Sequence, residues 1–179
     1  RDAAPNVPIY GHANMLKAVA EGAGQVWVDL MMRATEGATK GTGVVGPDRS
    51  LEDGSEVELG GLTFRIHFYD HVHTHTDLMI EVPRKELLFL GDNANNHRIV
   101  RMDDGSFAGT VAALETLKQD VSAKVLVPGH GRTGGWEIVD AYRDYMATLY
   151  GAVESLYEEG LSDFEMKPQI AERLAAYED

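Results

Sequence analysis

The chain of 179 residues contains no cysteine. Its absence excludes disulfides, thiolate nucleophiles and cysteine-ligated zinc sites, and says little about compartment. Basic residues are scarce: 16 Lys and Arg stand against 29 Asp and Glu, for a net charge of −13. A surface of that sign repels phosphate backbones and anionic lipid, so neither nucleic acid nor membrane is expected as a partner. No apolar run is long enough to span a bilayer. No Met opens the chain and no charged-then-apolar leader follows Arg1, so a processed chain or a fragment is expected. Nothing separates a cytoplasmic from a periplasmic soluble protein. Repeats and low-complexity tracts are missing too. What remains, 44% hydrophobic and 25% charged residues, is ordinary globular composition, and the length suits a single domain over 1–179.

Strand and helix periods alternate irregularly along the chain. A short strand is expected at 7–11, then helical spacing over 12–34 that Gly22 and Gly24 should break in two. Residues 36–49 are glycine-rich and read as an extended loop. The stretch EVELGGLTFRIHFY at 56–69 reads as a hairpin about Gly60-Gly61. Two further strands, 77–83 and 86–92, flank a tight turn at Arg84-Lys85. A polar loop follows at 93–106, then an amphipathic helix at 106–120, a buried strand at 124–131 and a long helix at 135–160 closed by Gly160. A short helix covers about 162–176. Hairpins imply antiparallel neighbours, so the expected class is α+β, with helices on one face of a mostly antiparallel sheet.

Four of the seven histidines lie between His67 and His75, most of them in the run HVHTHTD at 71–77. Three places share one pattern, a strand end followed at once by a ligand-type residue: FYDHVHTH, LLFLGDN and LVPGHG. A strand end fixes the Cα, and glycines beside Asp92 and His130 leave room against the backbone. Imidazole nitrogen with carboxylate oxygen suits zinc, iron or manganese. Taken singly, each piece has a plainer reading: a solvated loop histidine, a turn, a tight turn with a capping imidazole.

The ordered set HTHTDLMIEVPRKELLFLGD, helix, VLVPGHG resembles the later motifs of the metallo-β-lactamase superfamily. The match is close over 73–131 and looser elsewhere. The resemblance implies the C-terminal half of an αββα sandwich and a centre of two divalent metals, zinc in the first instance. His73 is then a metal ligand, Asp92 the carboxylate bridging both metals, and His130 the last histidine, on the second metal. His75 and Asp77 are expected to support the ligands without binding metal. HTHTD also looks like the family's earlier His-x-His-x-Asp-His signature. Leu78 stands where the final histidine belongs, a strand follows where a helix should open, and Asp92 comes too soon. The earlier signature is therefore absent here, and the expectation is a chain that begins just after it, the alternative being a full-length protein that has lost the site.

Within the resemblance, Asp92 points toward ester, thioester, sulfate or phosphate ester hydrolysis. The loop after it should line the pocket, with Asn93, Asn96, His97 and Arg98 contacting a small anionic or polar substrate; the plain alternative is a solvated loop. Two functions of different class follow. One is a metal-dependent hydrolase, or its C-terminal portion, inactive alone. The other is a non-catalytic domain that keeps the fold and binds a ligand or partner through the old pocket. A half sandwich should also associate, as a homodimer or with the missing N-terminal half.

Overall fold

The computed structural model of the protein describes residues 6–177. The chain divides into two compact units, one running through Asp53 and one starting at Gly54.

In the first unit, β1 (Tyr10–His12) pairs in parallel with β2 (Arg49–Leu51). Between them run α1 (Ala13–Ala20) and α2 (Ala23–Ala34). Gly22 has φ +99°, a backbone that interrupts one helix and starts the next, where the sequence places the break. His12 is the N-cap of α1: its Nδ1 accepts from the Asn14 amide at 3.3 Å. Arg49 belongs to a strand, whereas the sequence reading left it in the glycine-rich loop; pairing with β1, 39 residues away, has no local signature.

The second unit carries a five-stranded sheet in chain order: β3 (Glu56–Leu59), β4 (Leu62–His67), β5 (Met79–Val82), β6 (Leu87–Gly91) and β7 (Val125–Pro128). The β3–β4 turn uses Gly60 and Gly61 at φ +60° and +74°, the left-handed pair that a two-residue hairpin demands. β3 to β6 are antiparallel. β7 instead runs parallel to β6, because α3 (Phe107–Asp120) carries the chain back across the sheet between them. The long helix α4 (Glu137–Glu158) and α5 (Asp163–Leu174) follow, then a 3₁₀ turn at Ala175–Tyr177.

Directly opposed residues share a sheet face, so the registers sort the side chains. Met79, Leu88, Leu90 and Leu126 point one way and pack with Leu114 and Leu117 of α3 and Val139, Tyr142 and Met146 of α4. This is the core. The same face also carries His67 and Glu81, whose side chains meet at 3.0 Å, so the buried carboxylate has a partner. The opposite face, Val57, Phe64, Ile66, Ile80, Val82, Leu87, Phe89, Val125 and Val127, is wholly apolar. At its β6–β7 side Phe89 and Val125 remain 38% and 41% exposed. Among the described residues no helix is long and apolar enough to cross a membrane.

Candidate metal centre

All three strand-end motifs arrive at one edge of the sheet. The strand β6 ends on Gly91 at φ +56°, with a register shift against β7 between Phe89 and Gly91. That irregularity turns the next residue, Asp92, out of the sheet alternation. β7 ends at Pro128, and Gly129 donates its amide to Gly91 O at 2.8 Å, which lays the Pro128–Gly131 turn directly over Asp92. A Cβ at residue 129 would collide with Asp92 Oδ1 and sit 2.7 Å from Gly91 O. Only glycine leaves room for the carboxylate there.

The histidine loop is held from α3. Ser106 caps that helix through Oγ, which accepts from the Gly109 amide at 2.9 Å, while its own amide donates to Val72 O at 2.9 Å. Gly105 lies so close beneath the loop that a Cβ would meet Val72 O and His73 O at 2.7 and 2.6 Å. Val72 itself is fully buried and anchors the loop.

The consequence is a cluster about one carboxylate. His73 Nε2 stands 3.7 Å from Asp92 Oδ2, and His130 Nε2 stands 3.5 Å from Asp92 Oδ1. His73 is mostly buried, its Nδ1 has no hydrogen-bond partner, and its Nε2 is beyond hydrogen-bonding distance of Asp92. A shielded polar atom in that condition costs about 1–3 kcal/mol. Among the described residues no group of three or more His, Asp or Glu side chains is placed to hold one ion. The arrangement agrees with that: the two imidazoles face different oxygens, so each half of the cluster offers one nitrogen and one oxygen.

The asparagines behind the cluster act on its backbone. Asn93 is 3% exposed and its Oδ1 accepts from the His73 amide at 3.4 Å, which leaves it little surface for the substrate contact expected of it. Asn96 donates its side-chain amide to Arg132 O at 2.8 Å, and its backbone amide bonds His130 O at 3.0 Å. Asn95, also 3% exposed, was not singled out by the sequence. Its Oδ1 accepts from the His130 amide at 2.7 Å and its Nδ2 donates to Asp92 O at 3.1 Å, tying two of the three cluster residues together. Nothing in NANN marks which asparagine turns inward. Asn95→Ala strands a buried N–H and C=O; the expected result is about 1–3 kcal/mol lost in thermal unfolding.

His97 and Arg98 are exposed and line a cavity beside Asn95; His97 holds a left-handed backbone at φ +51°. His75 turns away from the cluster. Its Nδ1 pairs with Asp70 Oδ1 at 3.1 Å and its ring stacks on His71 at 4.2 Å. That pairing holds the Asp70 carboxyl below the usual range. Asp77 bonds the Thr74 hydroxyl, and Thr74 Oγ1 accepts from the Thr76 amide at 3.0 Å, bracing the loop one residue past His73. Tyr142 of α4 lies close to Asn95, short of a well-formed hydrogen bond. Burial, with the Asp92 charge adding to it and the Asn95 side chain opposing it, pushes its phenol up to about 12.

A search of family models matches residues 2–130 to the metallo-β-lactamase superfamily. The chain belongs to that superfamily. The match ends on the third residue of the cluster, His130. Over 128 residues the chain is 26% identical to a metallo-β-lactamase type 2 of Bacteroides fragilis, covering 69% of this chain and 48% of that protein. Among solved structures it resembles a metallo-β-lactamase from Pontibacter korlensis with a TM-score of 0.53 at 22% identity, covering 66% of this chain and 55% of that one. It also resembles metallo-β-lactamase IND-7, TM-score 0.59 at 13% identity, covering 81% and 59% respectively. These likenesses establish the α+β fold of the superfamily. The chain spans about half the length of the relatives it matches.

Proposed function

We propose that this chain supplies half of a binuclear metal centre in a hydrolase of ester, thioester, sulfate or phosphate ester bonds. One observation carries the reading: the two oxygens of Asp92 each face a different imidazole, His73 on Oδ2 and His130 on Oδ1. A carboxylate with one histidine per oxygen would hold two ions, with His73 and Asp92 as donors to one and His130 and Asp92 as donors to the other. The donor set suits zinc, with iron or manganese as alternatives, and the glycine-walled carboxylate set between two imidazole nitrogens fits it. Zinc wants four ligands, so the two donors named for each ion would be completed by water or by further residues.

Divalent metal held there supplies Lewis-acid polarisation and activates water at neutral pH. The chain's own residues do the rest. Asn95 fixes Asp92 and His130 to each other, Asn93 fixes the His73 backbone, and the Gly129 turn, lacking a Cβ, leaves room for the Asp92 carboxylate. Arg98, exposed on the loop after Asp92, is the cation to which an anionic substrate would orient. The complete gene product should therefore hydrolyse at least one such ester class, lose that activity to a chelator and regain it with Zn²⁺. Activity unchanged after exhaustive chelation contradicts the proposal and favours the metal-free binding domain.

Association follows from the apolar sheet face. Phe89, Val125 and, on β3, Leu59 at 68% exposure present side chains that a second sheet would cover. At about 25 cal/mol per Å² even a few hundred Å² is worth several kcal/mol before the cost of association. The 179-residue chain alone should be dimeric or larger by light scattering at micromolar concentration; a soluble monomer would show that the face needs no partner.

A further inference from the structure

Beside Asn95 lies a cavity of about 350 Å³ whose walls include none of His73, Asp92 and His130. Its walls come from the 95–99 loop, from α4 and from the 3₁₀ turn at Ala175–Tyr177. Tyr145 stands one turn from Ala141 on α4, so a large ring borders a small side chain. Tyr145 and Tyr177 meet edge to face, with centroids 5.4 Å apart at 81°. The Tyr177 hydroxyl lies 3.1 Å from Thr148 Oγ1, which fixes that ring against α4. Ile99, on the loop opposite, is 55% exposed, an apolar side chain left facing open space. The loop also carries Arg98. Arg101 pairs with Asp103, and Arg143 pairs with Asp144 at 2.7 Å, whereas among the described residues no carboxylate pairs with Arg98.

We infer that this cavity is a binding site for a small anionic aromatic compound, one or two rings bearing a sulfonate, sulfate, phosphate or carboxylate. Its rings lie against Tyr145, Tyr177 and Ile99, and its charge lies on Arg98. The volume is at the low end for ligand pockets, enough for one or two rings and too little for a long chain or a polymer. Edge-to-face tyrosines give a flat ring a fixed apolar slot. The guanidinium, which pairs with no carboxylate among the described residues, selects sign: tyrosine faces also attract cations, and a protein of net charge −13 would favour them, but Arg98 at the rim opposes that. Binding needs no metal. In calling the occupant the substrate's aryl portion the inference rests on the hydrolase reading, because Asn95 is a wall of the cavity and also holds Asp92 and His130.

The test is isothermal titration with ¹⁵N chemical-shift mapping of the 179-residue chain in EDTA, using naphthalene-1-sulfonate as probe and 1-naphthylmethylammonium as its cationic counterpart. The sulfonate should bind with shifts concentrated at 95–99, 141–148 and 175–177. The cation should bind at least about tenfold more weakly, and Arg98→Gln or Tyr177→Ala should each weaken the sulfonate by about tenfold, the scale of one charge-assisted bond or one aromatic contact. Arg98 is exposed, so its replacement does not threaten the fold. No binding at millimolar probe, equal or tighter binding of the cation, an unchanged affinity in Arg98→Gln, or shifts elsewhere would each overturn the inference. Metal-dependent hydrolysis by the complete protein without sulfonate binding would overturn the pocket and spare the hydrolase reading; sulfonate binding without hydrolysis would do the reverse.

Discussion

Asp92→Ala in the complete gene product should lower hydrolysis by at least ~10²-fold and strip metal, while the melting temperature of the metal-free protein stays within a few degrees of the parent. The loss should exceed the ~10–100-fold typical of removing a supporting partner, because Asp92 faces both histidines and, among the described residues, no other carboxylate joins them. Stability is spared because the side chain is 34% exposed at a sheet edge and outside the core. His75→Ala is the internal control. That side chain is 53% exposed and engaged with Asp70 and His71, so its removal should change activity less than about tenfold, in keeping with a surface substitution. Steady-state kinetics on the two variants side by side decide it. Equal losses would mean that the wrong histidine of the HVHTHTD run has been given to the site.

Gly129→Val should be nearly as damaging, by a different route. The first carbon of any side chain at this position meets Asp92 Oδ1 and the Gly91 backbone, with Gly91 O at 2.7 Å and Gly91 C at 2.8 Å. Backbone cannot rotate away as a flexible side chain can, so either the turn lifts from β6 or the carboxylate is displaced. Overpacking of this kind costs about 1–3 kcal/mol. The expected result is a lowered melting temperature together with loss of metal by elemental analysis. A variant that folds with parental stability and keeps its metal would show that the turn over Asp92 is looser than the contacts indicate.

Much of this architecture is legible in the sequence, for reasons that differ by element. Gly60-Gly61 announces its hairpin because the left-handed turn excludes almost every other residue. Ser106 and the stripe Leu114, Leu117 announce α3, since capping and core spacing are both local. Gly160 marks the end of α4 for the same reason: its φ is +82° and its amide bonds Tyr157 O at 2.9 Å. The parallel pairings were not legible. β1 with β2, and β6 with β7, join segments 30 or more residues apart, and a parallel ladder leaves no turn between its strands to read.

The site divides along the same line. That His73, Asp92 and His130 lie together follows from three strand ends and is seen in the distances. Which of the neighbouring polar residues face inward did not follow. Asn93 and Asn95 alternate with apolar Ala94 in one tight turn, and it is the return of the 128–131 segment, with its His130 amide, that draws Asn95 inside. Asp70 likewise draws His75 outward from a run in which alternate histidines look equivalent. Tyr142 sits on a helical stripe that reads as core and Tyr177 lies past the last expected helix, and only the approach of the C-terminal turn to α4 makes a cavity wall of them.

The central claim is that His73 and His130 belong to different ions joined by Asp92. Metal content of the purified complete gene product, measured by plasma mass spectrometry for the parent, His73→Ala and His130→Ala, tests it most directly. The account predicts about two divalent ions per chain in the parent, from the bridging arrangement, and about one in each single-histidine variant. Two ions retained in both variants, or none bound by a folded parent supplied with zinc, would contradict it.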